Sequence, residues 1–235
     1  MTAHVAGPLV AASEVPDWLR PLVARTEGLE RGDLSWPREH PPRSARPAAV
    51  LMLFGEDGHG PDVLLLRRAD QLSSHPGQVA FPGGAVDDVD RGPVAAALRE
   101  AVEEVGVLPG GIRAIATLPE LHVPHSGFRV TPVLAHWREP SPVAPVDPAE
   151  TAAVARVPIS WLADPDNRIR IDMPDRRATP AFLVPGMLVW GFTAGLLSGL
   201  LDLAGWSRRW DRDDVRGLDE AWRAAEEADD VGFGG

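Results

Sequence analysis

The sequence predicts an α+β fold with a mixed β-sheet between helices. Short apolar runs of strand length recur at residues 48–54, 62–68, 112–118, 128–137 and 152–157. Glycine- and proline-containing stretches bound them. Two longer segments, 93–105 and 190–203, carry helical spacing instead. Strands and helices thus interleave along one chain, which suits a sheet covered by helices.

The elements follow in order. Residues 1–14 are loose, and 15–26 (VPDWLRPLVART) suggest a short helix broken by Pro21. Residues 36–47 hold four prolines and read as an extended linker. The strands 48–54 and 62–68 flank a turn at 55–60. Its three glycines do not follow the dinucleotide-binding fingerprint, and no helix follows them. A strand-like run, 77–81, leads into Phe81-Pro82-Gly83-Gly84. The helix 93–105 opens on Pro93, with Asp90 upstream as a plausible cap and Gly106 as its stop. Strands at 112–118 and 128–137 precede a proline-rich loop at 140–148. A strand at 152–157 runs into a short helix at 158–162, and 168–173 with 181–184 suggest a hairpin. The apolar helix 190–203 (WGFTAGLLSGLLDL) contains glycines that allow close packing of another element. A charged helix, 218–227, and a glycine-rich end complete the chain. The expected organisation is an N-terminal helix and proline-rich linker over 1–45, one folded domain over 46–205 and a charged tail over 206–235. No internal repeat is evident.

Composition narrows the function classes. At 235 residues the chain reads as one domain with extensions. Cysteine is absent, which excludes disulfides, thiolate catalysis and cysteine-ligated metal sites. A net charge of −11 speaks against broad nucleic-acid binding, which needs a basic surface. It leaves room for a small anionic substrate. The uncharged stretch 181–201 is long enough to raise a membrane span. It holds Pro185, four glycines, Thr193 and Ser198, so it reads as a strand end followed by a buried helix, and no membrane partner is expected. The N-terminus lacks the basic start and apolar core of a secretory signal, which makes cytoplasm the default expectation.

The chemistry concentrates between Gly83 and Val107. Glu100, Glu103 and Glu104 share one helix face, while Val94, Leu98, Ala101 and Val105 form the opposite stripe. Three like charges on one face repel, and a hard divalent cation removes that objection. Arg99 lies four residues before Glu103 and can hold that carboxylate. Gly83 and Gly84 allow a sharp turn and close approach to a ligand, and their carbonyls can join the carboxylates as metal ligands. The bland alternative is a solvated acidic face.

The segment resembles the Nudix box, G-x5-E-x7-R-E-U-x-E-E-x-G-U with U aliphatic. Gly84 matches the opening glycine, and residues 99–107 (REAVEEVGV) match the closing half. Asp90 stands where the first glutamate is expected, and eight residues separate it from Arg99. Upstream, Leu64-Leu65-Leu66-Arg67-Arg68-Ala69, Gly77 and Phe81-Pro82-Gly83-Gly84 resemble the motif of the coenzyme A diphosphatase branch, L-L-T-x-R-[SA]-x3-R-x3-G-x3-F-P-G-G. Leu66 replaces the threonine and Ser73 the second arginine. Residues 127–133 (GFRVTPV) resemble a segment common in that branch. The resemblance covers about residues 47–203.

The resemblance implies a Nudix-like α/β/α sandwich and hydrolysis of a diphosphate bond with Mg2+ or Mn2+. It implies catalytic roles for Glu100, Glu103, Glu104 and Arg99. Metal ligation falls to Glu100, Glu103, Glu104 and a carbonyl of Gly83 or Gly84. Arg67, Arg68, Arg129 and His125 are the candidate substrate contacts, with His75 and His122 in loops nearby. Coenzyme A or an acyl-coenzyme A is the favoured substrate, giving 4′-phosphopantetheine and adenosine 3′,5′-bisphosphate. Other nucleoside diphosphate derivatives, such as ADP-ribose or a dinucleotide, are the alternative that Ser73 keeps open. A nucleotide-sensing regulator without activity is a second alternative, against which the three retained glutamates argue. A homodimer is plausible from the family.

Overall fold

The computed structural model describes residues 6–34, 42, 44–124, 126–173 and 177–229. A two-residue strand, β1 (Gly7–Pro8), precedes helix α1 (Arg20–Arg25). Pro21 does not break this helix. It falls in the first turn, where a missing N–H leaves no helical bond unmade. The main hairpin follows as β2 (Arg46–Asp57) and β3 (Gly60–Arg68). The turn between them is shorter than the spacing of glycines suggested, because Gly55 pairs with Asp62 inside the ladder and Asp57 pairs with Gly60.

Two short strands come next. β4 (Val79–Ala80) pairs with β3, and β5 (Gly83–Ala85) pairs with β2. Helix α2 (Pro93–Val105) then packs by Ala97, Ala101 and Val105, all fully buried. Gly106 closes it in the left-handed conformation at φ 71°, its N–H donating to the Val102 carbonyl. Beyond lie β6 (Ile112–Thr117), β7 (Leu121–Val123), β8 (Phe128–Trp137), β9 (Thr151–Pro158) and the short α3 (Ile159–Ala163). The predicted hairpin is present as β10 (Arg168–Ile171) and β11 (Thr179–Val184), with Arg168 opposite Phe182. The chain continues through β12 (Met187–Val189), α4 (Gly191–Ala204), β13 (Val215–Arg216) and α5 (Leu218–Asp229).

The larger sheet runs β1-β6-β8-β2-β3-β4, with β5 on β2, β7 on β8 and β9 on β3. It is mixed, because β2 and β8 are parallel whereas β2 and β3 are antiparallel. Alternation along each strand divides its side chains between two cores. Leu51, Leu53, Leu64, Leu66, Val133 and Ala135 face α2. Met52, Phe54, Val63, Leu65 and Leu134 face the opposite layer, which holds α4 and residues Leu19, Leu22 and Leu34. The result is the predicted sandwich of helix, sheet and helix.

Residues 181–201 resolve into β11, β12 and the first part of α4. No helix among the described residues is long and apolar enough to cross a membrane. Thr193, the buried polar residue of α4, donates its hydroxyl to the Val79 carbonyl at 2.9 Å. Gly199 admits Leu34 closely, since a Cβ there would stand 3.3 Å from the leucine side chain. The second sheet, β12-β11-β10-β13, is covered by α5 through Ala221 and Ala225.

Candidate active site

The centre is built where α2 crosses β5. Gly83 donates its N–H to Glu104 Oε2 at 2.9 Å, tying the strand to the helix. Both glycines are required by space and not by turning. Neither adopts a positive φ, and both lie in the ladder with β2. A Cβ on Gly83 would sit 2.3 Å from the Ala49 carbonyl, and one on Gly84 would sit 2.5 Å from the Glu100 carboxylate. The expected sharp turn is therefore a short strand, kept bare so that backbone and carboxylate can approach.

Arg99 organises the acidic face. Its Nη1 donates to Glu100 at 3.0 Å and to Glu103 at 2.9 Å. Its Nε and Nη2 donate to the two Asp90 oxygens at 3.2 and 3.0 Å, and Nη2 also reaches the Ala85 carbonyl at 3.0 Å. Asp90 is thus not the helix cap; Gly92 stands at that position. Despite the extra residue, the Asp90 carboxylate meets the guanidinium with both oxygens. The Arg99 hydrogen bonds hold the Asp90 carboxyl below its usual range, and Asp90 in turn raises the arginine.

The glutamates differ in environment. Burial pushes Glu104 up to about 7; Glu100 and Glu150 add to that, while the Gly83 N–H and Arg68 oppose it. Burial also raises Glu100, against the pull of Arg99. The Glu103 side chain is 57% exposed. Two carboxylates are therefore desolvated side by side, where negative charge is disfavoured unless a cation arrives.

The remaining predicted residues divide. Arg68 turns to the α2 side, where its charge acts on Glu104. Arg67 alternates to the opposite face, with Val63 and Leu65, and its Nη2 donates to Asp70 at 2.6 Å. Arg129 shares the alternation of Val133 and Ala135 toward α2 and pairs with Glu120 at 3.2 Å. His122 lies opposite Arg129 in the ladder of β7 and β8. His75 is exposed and adopts a positive φ of 54°. His125 lies outside the described residues.

Sequence reasoning missed Glu120 and Glu150. Glu150 directly precedes β9, and only the pairing of Arg68 with Thr151 brings it beside Arg68 and Glu104. No motif spacing carries that signal.

The donor set suits a hard divalent cation: carboxylate oxygens, with carbonyls of a bare glycine strand alongside. Among the described residues no three His, Asp or Glu side chains are already gathered at metal-ligand distances. Arg99 occupies two of the predicted ligands, Glu100 and Glu103. Two surface concavities, one lined by residues 207–213 and one by Ser160, Trp161, Asp164, Asp166, Asn167 and Arg208, involve none of these groups.

The chain is similar to known proteins in sequence and in fold. The NUDIX domain profile matches residues 44–182. A protein from Enterobacter sp. (strain 638), named uncharacterized Nudix hydrolase NudL, is 38% identical over 165 residues, spanning 66% of this chain and 81% of its own. Its namesake from Escherichia coli (strain K12) is 36% identical over 158 residues, again 66% and 81%. Among solved structures, the Nudix hydrolase RenU of M. smegmatis superposes with a TM-score of 0.50 at 23% identity, covering 72% of this chain and 91% of RenU. That likeness concerns the fold.

Proposed function

Because the chain belongs to the Nudix family, we propose that it hydrolyses the diphosphate bond of a nucleoside diphosphate derivative, with coenzyme A or an acyl-coenzyme A as its substrate. The observation that carries the reaction is the face of α2, where Glu104 and Glu100 meet the Gly83–Gly84 strand and Arg99 ties Glu103 to Glu100. The spacing of Leu64, Leu65, Arg68, Gly77 and Phe81-Pro82-Gly83-Gly84 supports the choice of substrate.

Glu103 and Glu104 are the main ligands for Mg2+ or Mn2+ in this reading, with Glu100 a third ligand or the general base, and a Gly83 or Gly84 carbonyl completing the set. When bound, the cation supplies neutralisation of the diphosphate, orientation of the bond and a lowered pKa for water. The chain's own residues do the rest. The Gly83 N–H fixes the Glu104 carboxylate on one side. Arg99 holds Glu100 and Glu103 in one plane of donors and anchors them to Asp90 and Ala85. Arg68, beside Glu104 and on the α2 face, is placed to meet an anionic phosphate oxygen. A rigid helix presents all three carboxylates, so little reorganisation is needed when charge develops in the transition state.

A second reading, hydrolysis of ADP-ribose or a dinucleotide, is favoured by Ser73 in place of an arginine. Mass spectrometry of products from coenzyme A, ADP-ribose and NADH, with and without Mg2+ or Mn2+, separates the two. Metal-dependent release of 4′-phosphopantetheine, faster than any other cleavage, supports the coenzyme A reading. Cleavage confined to ADP-ribose or NADH replaces it with the second.

A further inference from the structure

Helix α5 lies beyond the part of the chain that matches the family profile, yet it reaches back to the end of β3. Trp222, half-buried on α5, stands under the Arg67 guanidinium, whose carbon lies 5.7 Å from the ring centroid. The helix is fixed there by Ala221 and Ala225, both fully buried against Ile169, Ile171 and Leu183. On its other side the guanidinium meets Asp70 at 2.6 Å. Gly77, at φ 67°, has a backbone conformation that favours glycine and lies against the cluster: a Cβ there would stand 2.9 Å from the exposed Asp70 carboxylate and in ordinary contact with Arg67 and Trp222, at 3.8 and 3.9 Å.

This cluster lies one residue along β3 from the arginine beside the carboxylates, on the opposite face of the sheet. Arg67 and Arg68 are the last two residues of β3, and Arg68 already faces Glu104. The loop that starts at Asp70 returns through Gly77 to β4 and then to Gly83, the donor to Glu104. The Arg67 side chain is 26% exposed, and among the described residues its only hydrogen bond is the one to Asp70. A guanidinium beside an indole face, with donors to spare, is suited to an anionic oxygen.

We propose that Trp222 is a positioning residue for substrate. It holds the Arg67 guanidinium where it contacts a phosphate of the nucleotide half, while the scissile diphosphate lies at the carboxylates. This inference rests on the proposed coenzyme A reaction. The two arginines on opposite sides of the strand end would then grip two parts of one molecule.

The test compares wild type, W222A, W222F, R67A and W222A/R67A by two measurements. The first is steady-state hydrolysis of coenzyme A. The second is calorimetric binding of adenosine 3′,5′-bisphosphate in EDTA, which needs no metal. Expected results are a rise in KM of about tenfold in W222A, with kcat changed less than twofold, and a similar rise in R67A. The double variant should be no worse than R67A alone, and W222F should restore KM because it keeps a ring. Binding of the bisphosphate should weaken in the same order. Wild-type KM and wild-type bisphosphate affinity in W222A, or effects of the two residues that simply add, would overturn the proposal. If W222A melts early, W222L, which fills the α5 packing but lacks a ring, takes its place in both measurements, and wild-type KM and bisphosphate affinity in W222L would overturn the proposal. A wild type that binds the bisphosphate with this dependence but leaves coenzyme A intact sinks the reaction and keeps the subsite. Hydrolysis indifferent to both residues does the reverse, and neither binding nor hydrolysis sinks both.

Discussion

Replacing Glu104 with glutamine should change stability in a way that depends on pH and reverses sign. Burial raises the Glu104 carboxyl from 4.5 to about 7 in the folded protein. Between those values the folded state holds a proton that the unfolded chain has released, so the contribution of this group is full below pH 4.5 and is lost as pH rises toward 7. At about 1.4 kcal/mol per pH unit the loss amounts to roughly 3 kcal/mol by pH 8. Glutamine cannot ionise and escapes that loss. Its amide can still accept from the Gly83 N–H, but its new N–H groups lack partners, at a pH-independent cost of about 1–3 kcal/mol. E104Q should therefore be the less stable protein at pH 4 and the more stable one at pH 8. Urea unfolding of both proteins in EDTA, across pH 4 to 8, measures the difference directly. Titrating groups not coupled to Glu104 cancel in the comparison. Parallel stability curves would refute the reasoning, because they would mean that Glu104 does not titrate differently in the folded state.

Three further outcomes follow from the same geometry. R99K keeps the charge but loses the fork that reaches Asp90, Glu100, Glu103 and the Ala85 carbonyl; kcat should fall by about 10- to 100-fold, which steady-state kinetics will read. The two glycines should separate: G83A drives its Cβ into the Ala49 backbone and should destabilise the fold by about 1–3 kcal/mol, whereas G84A meets only the Glu100 carboxylate, which can swing aside, and should fold normally but lose most activity. Thermal melts and rate assays on the two variants check this. Mg2+ or Mn2+ at about 100 times its Kd should stabilise wild type by roughly 2.7 kcal/mol, seen as a rise in Tm that E103Q lacks; equal shifts in both proteins would remove Glu103 from the ligand set.

The sequence made the centre legible because its key contacts are local. Glu100, Glu103 and Glu104 are neighbours on one helix, and Arg99 reaches Glu103 within one turn. The continuous apolar runs likewise mark the central strands, since both faces of the sheet bury their side chains. Three kinds of feature escaped. Asp90 was read as a cap because it precedes a proline-led helix; the loop instead folds back so that both oxygens meet Arg99. β5 looked like a turn because glycine marks both tight turns and close approach, and only the distance to Ala49 and Glu100 tells them apart. Glu150 comes beside Glu104 through strand pairing, Glu120 meets Arg129 and Trp222 meets Arg67 through contacts for which a single sequence carries no spacing rule.

Whether the acidic face of α2 is a metal-dependent diphosphatase centre is decided by the rate of coenzyme A hydrolysis by wild type and by E103Q, side by side, with Mg2+, with Mn2+ and with EDTA. Wild type should turn over only when metal is present, and turnover by E103Q should fall by orders of magnitude while its fold persists. Equal rates in the two proteins, or hydrolysis by wild type that survives EDTA, would contradict that reading.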